Sequence, residues 1–270
     1  MIPLPSAFLT TPLAHRGLHD RNAGVIENSR SAIAAAVAAG YGVEIDLQMS
    51  SDGEAMVFHD DLLDRLTAET GCVDRLSAAA LGQVELTGGG ECIPTLLDVL
   101  AIIGGKCPVL VEIKDQSGCL GEVDGRLERR AADILKTYEG PAALMSFNPC
   151  SVAVCAEAAP EIPLGRVSEL FMPEGWENLT PERAVELNRF DDLDSLGACF
   201  ISHDHKDLSN PEVEAARRSG RHILCWTTKS PAEDKAARQI AENVTFENYA
   251  ACAMSPALPL MSAAAPMTSA

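Results

Sequence analysis

The sequence predicts an α/β protein, a single TIM-type (β/α)8 barrel with a small insertion after the second strand hairpin. Short runs rich in β-branched residues alternate with alanine-rich stretches almost to the end of the chain, which is typical of repeated strand–helix units around a parallel sheet. The chain has 270 residues, of which 47% are hydrophobic, and this size and composition suit one such barrel. We expect one domain over residues 1–250.

Nine segments have the composition of strands, one more than the barrel needs. They are Leu13–His15, Val43–Leu47, Ala55–Phe58, Val109–Lys114, Ala143–Phe147, Leu164–Val167, Cys199–Ser202, Ile223–Thr227 and Val244–Glu247. Ala55–Phe58 is the surplus segment, because Ser50-Ser51-Asp52-Gly53, which lead to it from Val43–Leu47, suit a hairpin turn but are too few for a crossover helix. If residues 50 and 53 flank that turn, His59 lies across from Glu44 and shares its face.

Seven segments between the strands have the composition of helices. They are Ser29–Ala39, Thr95–Ile103, Glu122–Tyr138, Ser151–Ala159, Pro181–Phe190, Pro211–Ser219 and Pro231–Glu242. In the first, Asn28 or Ser29 can cap the N-terminus and Gly40 can end the helix. Residues 60–93 contain no clear helix–strand unit, so we expect a small insertion beside the barrel mouth. Residues 251–270 are rich in Ala, Ser, Pro and Met, which predicts a flexible tail.

Charge and composition exclude several classes of function. The formal net charge of −18 argues against a nucleic-acid partner, since phosphate backbones are bound by clustered Lys and Arg. The first twelve residues lack the features of a secretion signal, and no stretch approaches the roughly 20 apolar residues of a membrane span. We therefore expect a cytoplasmic protein. The nine cysteines are scattered without CxxC spacing, which favours reduced thiols.

Three acidic residues lie in strands that are otherwise apolar. Glu44 and Asp46 alternate with Val43, Ile45 and Leu47, so both carboxylates point to the same side of the strand. Glu112 has a similar setting in the segment Val109–Lys114. Three carboxylates at the strand ends of a barrel suit a hard divalent cation. The alternative is that each acid forms an internal salt bridge, for example with a neighbouring Arg or Lys.

Two histidines, His15 and His59, each end a strand. A histidine at a strand end can be a structural hydrogen-bonding residue. Beside a metal site, however, a pair of imidazoles can supply the base and the acid that cleavage of a phosphodiester requires. Arg16 and Lys114 can supply positive charge to a phosphoryl group. The alternative for Lys114 is a salt bridge with Glu112.

Several short motifs resemble the glycerophosphodiester phosphodiesterase family in order and spacing. The motifs are His15-Arg16-Gly17, Glu27-Asn28-Ser29, Glu44-Ile45-Asp46-Leu47, Asp52-Gly53 leading to His59-Asp60, Ile93-Pro94-Thr95-Leu96, Glu112-Ile113-Lys114 and Ser146-Phe147-Asn148-Pro149. The resemblance is dense from His15 to Pro149 and thins afterwards, although Trp226-Thr227-Thr228 looks like a late segment of that family. One departure concerns the last strand, which often ends in Thr-Asp in the family and in Phe246-Glu247 here.

The resemblance implies metal-dependent hydrolysis of small-molecule glycerophosphodiesters to glycerol 3-phosphate and an alcohol. It implies one divalent cation, Mg²⁺ or Ca²⁺ with Mn²⁺ also acceptable, held by Glu44, Asp46 and Glu112. It also implies that His15 and His59 are the acid–base pair and that Arg16 and Lys114 contact the phosphate. The nucleophile is either a glycerol hydroxyl, which gives a cyclic phosphate, or water.

Three further residues are candidates for substrate binding. Phe147 and Trp226 are expected to line the pocket, although core packing alone would explain Phe147. Asn28 can hydrogen-bond a catalytic residue or the substrate, or it can cap the first helix.

The alternative function is a sphingomyelinase-D-like or other metal-dependent phospholipase or lyase on the same barrel. Loops at the rim select the head-group alcohol, so the sequence leaves it open, together with the oligomeric state.

Overall fold

Runs of β-branched and apolar residues form the strands of the computed structural model, which describes residues 1–176 and 178–252. The strands are β1 (Leu13–Ala14), β2 (Gly42–Met49), β3 (Ala55–Val57), β4 (Glu85–Leu86), β5 (Glu91–Cys92), β6 (Val109–Ile113), β7 (Ala142–Ser146), β8 (Leu164–Ser168), β9 (Phe200–Asp204), β10 (His222–Thr228) and β11 (Asn243–Phe246). The helices are α1 (Ala7–Thr10), α2 (Arg30–Ala38), α3 (Ala78–Leu81), α4 (Leu96–Ile103), α5 (Arg126–Leu135), α6 (Pro149–Ala158), α7 (Pro181–Leu187), α8 (Pro211–Arg218) and α9 (Pro231–Ala237). Beyond position 252, the predicted tail lies outside the described residues.

Eight parallel strands close into a barrel in the order β1-β2-β6-β7-β8-β9-β10-β11, because β1 pairs with both β2 and β11. Helices connect most of the successive strands, as the alternating pattern predicts. The predicted fold class is therefore confirmed. The surplus strand β3 pairs antiparallel with β2 and lies outside the barrel ring, as expected.

The predicted register of the β2–β3 hairpin was wrong by one residue. Leu47 pairs with Val57 and Met49 pairs with Ala55, so the residues that flank the turn are Ser50 and Glu54. The Ser50 amide donates to the Glu54 carbonyl at 3.0 Å, and the turn contains three residues, the last of which is Gly53 at φ +87°. A three-residue hairpin loop needs this left-handed position, which glycine adopts readily.

Two helix starts differ from the predicted ones by two residues or more, for local reasons. Helix α5 begins four residues later than predicted, because Gly125 precedes it in a left-handed conformation at φ +74°. Helix α6 begins earlier, at Pro149, because the Asn148 side chain accepts a hydrogen bond from the Cys150 amide and caps the helix. Helix α2 is capped by Ser29, whose hydroxyl accepts from the Ala32 amide.

The barrel has an apolar interior at the end where its strands begin. Leu110, Phe200 and Leu224 pack there against Leu4 and Phe8 from the N-terminal segment. The side chain of a buried asparagine at the start of β11 donates to the carbonyl oxygens of Phe8 and Thr11 at 2.7 Å each. This end is therefore closed, which leaves the other end, where the strands finish, for a binding site. A larger cluster fills the layer between the strands and the surrounding helices.

The segment 60–93 contains two short 3₁₀ turns, α3 and the small β4–β5 hairpin. Its apolar side chains form a separate cluster together with Met56 and Phe58 from the end of the β2–β3 hairpin.

The nine cysteines all fall within the described residues and carry free thiols. Among the helices described, none has the length and apolar character needed to cross a membrane.

Candidate active site

A cavity of about 410 Å³ opens at the end of the barrel where the strands finish. Nine of the ten residues predicted for the site line it, namely His15, Arg16, Glu44, Asp46, His59, Glu112, Lys114, Phe147 and Trp226. The tenth, Asn28, lies behind the cavity wall. The structure therefore brings the predicted acids, histidines, cations and aromatic rings to one place.

The three predicted acids meet on two adjacent strands. Glu44 and Asp46 lie on β2, and Asp46 pairs in register with Glu112 on β6. All three side chains are buried. One carboxylate oxygen from each lies within 4.8 Å of one oxygen of each of the others. A single ion of ordinary coordination radius can therefore contact all three.

The charges around these acids are unbalanced. Lys114 Nζ lies 2.7 Å from Glu112 Oε1 and 3.6 Å from Asp46 Oδ1, so the Lys114–Glu112 salt bridge considered from the sequence is present. Arg16 Nε lies 3.3 Å from Asp46 Oδ2. Two cations thus face three buried acids. Burial raises the pKa of Glu44 well above its usual range, and the charges of Asp46 and Glu112 add to this effect.

Asp46 behaves differently from Glu44. Burial opposes its ionisation, but the positive charges of His59, Lys114 and Arg16 outweigh burial and hold its pKa below the usual range. The three candidate metal ligands are therefore carboxylates, whose oxygens are hard donors. Ionisation of one of them, Glu44, is unfavourable in this buried place. These properties fit a hard divalent cation, because such an ion would remove the repulsion that raises the pKa of Glu44.

Each predicted histidine has one ring nitrogen held by a carboxylate. His15 Nδ1 lies 2.9 Å from Glu247 Oε2, and His59 Nδ1 lies 2.6 Å from Asp60 Oδ1. Because an ionised carboxylate only accepts, Nδ1 is the donor in both pairs and Nε2 remains available on both rings. Burial lowers the pKa of His15, although the hydrogen bond to Glu247 opposes this shift.

Sequence reasoning assigned no role to Asp60 and noted Glu247 only as a departure from the family. The signal for Asp60 is its place directly after His59. For Glu247 there is none along the chain, because 232 residues separate it from His15. The Glu247 carboxylate also lies 2.7 Å from Lys229 Nζ. The hydrogen bond with His15, together with the nearby His19 and Lys229 side chains, holds the pKa of Glu247 far below the usual range.

A tight turn positions Arg16 after β1. Arg16 and Gly17 both have positive φ angles, +55° and +80°. A Cβ atom at Gly17 would lie 2.7 Å from the Ala32 backbone, so only glycine fits there. This turn lets the Arg16 amide donate to Glu44 Oε2 at 3.0 Å, while its guanidinium donates to Glu27 at 2.6 Å. The strained backbone thus directs a donor at a buried acid.

Asn28 contacts an acid of the site and does not line the cavity. Its side chain is 1% exposed, and Nδ2 donates to Asp46 Oδ2 at 2.9 Å. Its backbone amide donates to the Arg16 carbonyl at 2.8 Å. Since Ser29 caps α2, Asn28 is free to hold Asp46, so its geometry favours positioning of an acid over direct contact with substrate.

Aromatic side chains form another part of the cavity wall. Phe147 and Trp226 are joined there by Trp176, and Glu169 lies among them. Sequence reasoning missed Trp176 and Glu169, because they lie in the segment between β8 and α7, which has no strand or helix periodicity. The structure alone brings that segment over the end of the barrel.

Known proteins of one family resemble this chain over most of its length. The model of the glycerophosphoryl diester phosphodiesterase family matches residues 15–245. A glycerophosphodiester phosphodiesterase from Caldanaerobacter subterraneus subsp. tengcongensis is 30% identical over 227 residues, which are 81% of this chain and 85% of that protein. A glycerophosphodiester phosphodiesterase from Bacillus subtilis is 23% identical over 228 residues, covering 77% of this chain and 73% of its own.

Solved structures with the same fold include a phosphodiesterase from Oleispira antarctica in complex with the product sn-glycerol-3-phosphate. It superposes with a TM-score of 0.71 at 22% identity and covers 89% of this chain and 94% of its own. A glycerophosphodiester phosphodiesterase from Thermotoga maritima gives a TM-score of 0.65 at 21% identity. The superposition covers 87% of this chain and 94% of that one. The family match over most of the chain, together with the relative at 30% identity, shows that this chain belongs to the glycerophosphoryl diester phosphodiesterase family.

Proposed function

We propose that this chain is a metal-dependent glycerophosphodiester phosphodiesterase that releases glycerol 3-phosphate and a free alcohol. The observation that carries the proposal is the meeting of Glu44, Asp46 and Glu112 with His15 and His59 in one cavity. Membership of the family supports the same reaction. The named alternative, a sphingomyelinase-D-like or other metal-dependent phospholipase or lyase, gains no support from the reported relatives.

Glu44, Asp46 and Glu112 would hold one divalent cation, with Mg²⁺ or Ca²⁺ as the first candidates and Mn²⁺ acceptable to the same oxygens. When bound, such an ion polarises a phosphoryl oxygen and neutralises charge that develops in the transition state. Asn28 keeps Asp46 in place through the hydrogen bond to its carboxylate. The Arg16 amide does the same for Glu44.

His15 and His59 are the proposed acid–base pair. The lowered pKa of His15 keeps its imidazole neutral near pH 7, so Nε2 can accept the proton of the attacking hydroxyl. His59 can then donate from Nε2 to the departing alcohol, while Asp60 compensates the charge of the protonated ring. The attacking hydroxyl belongs either to the glycerol moiety or to water, and both routes use these groups in the same way.

Arg16 and Lys114 are proposed to contact the phosphate. Both side chains line the cavity beside the acids, and the lysine Nζ lies 6.0 Å from the centroid of the Phe147 ring. Lys114 therefore stands between the acids and the aromatic side chains. A cation at this position can stabilise the negative charge that spreads over the phosphoryl oxygens.

We also propose that residues 1–250 form one domain with an insertion at 60–93. The free thiols favour a cytoplasmic location. The net charge of −18 argues against nucleic acid as a partner.

The test is release of glycerol 3-phosphate from a panel of glycerophosphodiesters, with and without chelator and with each cation added back singly. His15→Asn and His59→Asn are expected to lower kcat by roughly 10²–10⁴-fold. The control is His222→Asn, which changes a histidine at the start of β10, at the closed end of the barrel. Undiminished activity of His15→Ala would show that the roles are misassigned, and turnover of lysophospholipids alone would support the alternative function.

A further inference from the structure

Three aromatic rings that contact one another line the cavity, and we call them the aromatic corner (Phe147, Trp176 and Trp226). The centroid of Phe147 lies 5.2 Å from that of Trp176 and 5.4 Å from that of Trp226. The ring planes are inclined at 59° and 81° respectively. Rings at these angles do not stack flat on one another, so they form adjoining walls that can surround a compact group.

A carboxylate lies at the aromatic corner. Glu169 Oε1 accepts a hydrogen bond of 2.6 Å from Trp176 Nε1, and Glu169 lines the same cavity. Lys114 forms ion pairs with Glu112 and Asp46. Within the part of the chain that the structure describes, Glu169 forms no ion pair with a Lys, Arg or His side chain. It is therefore an acid in the cavity whose compensating charge the protein does not provide.

A second acid increases the negative potential at the same place. Asp204 ends β9 and pairs in register with Trp226 on β10. Burial raises the pKa of Glu169, the hydrogen bond from Trp176 opposes this shift, and the charge of Asp204 adds to it. The aromatic corner therefore combines π-faces with negative charge, two features that attract an organic cation.

We propose that the aromatic corner binds a quaternary ammonium head group, so that the preferred substrates are glycerophosphodiesters of a cationic alcohol such as choline. This inference rests on the proposed function, because it concerns the alcohol released by that reaction. A trimethylammonium group has no N–H to satisfy and interacts favourably with aromatic faces and a nearby carboxylate. A neutral polyol would instead lose hydrogen bonds to water against these walls.

Substrate comparison separates this assignment from binding of the glycerol moiety. All glycerophosphodiesters share that glycerol, so a subsite for it would affect every substrate equally. Glycerophosphocholine and glycerophosphoglycerol differ only in the head group, which is cationic in the first and uncharged in the second. The ratio of their kcat/KM values therefore reports on the head-group subsite alone.

The experiment measures this ratio for the full chain and for Glu169→Gln and Trp176→Leu. Glutamine keeps an oxygen that accepts from Trp176 but removes the charge. We expect the ratio to favour glycerophosphocholine in the unmodified chain and to fall about tenfold in each variant, as for a lost interaction of about 1.4 kcal/mol. The control is Glu174→Gln, an exposed acid of the same segment that does not line the cavity.

A second measurement does not depend on turnover of the choline ester. Tetramethylammonium chloride should inhibit cleavage of glycerophosphoglycerol competitively at constant ionic strength, whereas the neutral isostere 3,3-dimethylbutan-1-ol should inhibit far less. Equal inhibition by both compounds, or a kcat/KM ratio that Glu169→Gln leaves unchanged, would overturn the head-group assignment. Absence of glycerol 3-phosphate from both diesters with every cation would instead refute the proposed function.

Discussion

The Nδ1 atom of His15 lies 2.9 Å from the Oε2 atom of Glu247, and this contact joins the ends of the first and last barrel strands. A carboxylate on one ring nitrogen fixes both the orientation and the tautomer of an imidazole. Because Lys229 Nζ holds the other oxygen of Glu247 at 2.7 Å, the carboxylate has little freedom to move. His15 is therefore presented to the cavity with Nε2 available.

Glu247→Gln is expected to lower kcat about 10- to 100-fold, because the imidazole loses its ionised partner. Glu247 raises the pKa of His15 against the larger effect of burial. Without that carboxylate the pKa falls further, so the acid limb of kcat/KM should move to lower pH. A pH–rate profile of the two proteins measures both effects.

A matched control for this substitution is Glu242→Gln. Glu242 also accepts a hydrogen bond from a histidine, His222 Nδ1 at 2.9 Å, but this pair lies at the closed end of the barrel. The control should leave kcat and the acid limb unchanged. If Glu247→Gln behaves like Glu242→Gln, the contact with His15 has no catalytic role.

Removal of the metal is expected to abolish activity and to expose the repulsion among the three acids. In chelator, Glu44→Gln should therefore unfold at a higher temperature than the unmodified chain, because it removes a carboxyl whose ionisation next to Asp46 and Glu112 is unfavourable. Each kcal/mol corresponds to about 2–4 °C for a chain of this size. Thermal unfolding monitored by circular dichroism measures the difference.

The same substitution should remove the response to cations. Saturating Mg²⁺ or Ca²⁺ should raise the melting temperature of the unmodified chain by mass action, and the rise should be much smaller in Glu44→Gln. The exposed acid Glu157 offers the control Glu157→Gln, which should keep the full response. An undiminished rise in Glu44→Gln would remove this residue from the set of ligands.

Glu27 is expected to stabilise the fold in a pH-dependent way. Burial opposes its ionisation, but hydrogen bonds and charge from Arg65 and Arg16 outweigh burial and lower its pKa from 4.5 to about 2. A carboxyl whose folded-state pKa is lowered contributes stability that is complete above the unfolded-state pKa and is lost as the pH falls towards the folded value.

Glu27→Gln should therefore reduce the free energy of unfolding by about 1–3 kcal/mol at pH 7. The difference from the unmodified chain should shrink as the pH falls below 4.5. Urea unfolding at pH 7, 5 and 3.5 (three points chosen around that pKa) measures it, and a difference independent of pH would contradict the role assigned to the ion pairs with Arg16 and Arg65.

Packing inside the barrel predicts the effect of a substitution at Gly165. On β8, Gly165 pairs in register with Phe200 on β9, and a Cβ atom there would lie 2.1 Å from the Phe200 ring. Gly165→Ala should lower the free energy of unfolding by about 1–3 kcal/mol or more. Combining it with Phe200→Leu should recover part of that loss, since the two residues share one space.

The control for this experiment is Gly175→Ala, where an added Cβ atom meets nothing within 4 Å. Its free energy of unfolding in urea should match that of the unmodified chain. Equal stability of Gly165→Ala and Gly175→Ala would contradict the close packing of the strand against the Phe200 ring.

The sequence by itself was sufficient for the architecture and for choosing nine residues that the structure brings into one cavity. Alternation of strand and helix segments predicts the barrel, and alternation within β2 places Glu44 and Asp46 on the same face, because side-chain direction repeats every two residues in a strand. The predicted family and enzyme class, a phosphoric diester hydrolase, are confirmed by the family match. These features depend on local periodicity and on motifs that are contiguous in the chain.

Tertiary structure alone decided how the site is completed. The turn after Met49 closes at Glu54 rather than Gly53, a choice of backbone conformation that composition does not specify. Closure of the barrel brings Glu247 to His15, and the segment before α7 brings Glu169 and Trp176 into the cavity. Contacts between residues far apart in sequence depend on how strands and loops pack in space, and no local periodicity encodes them.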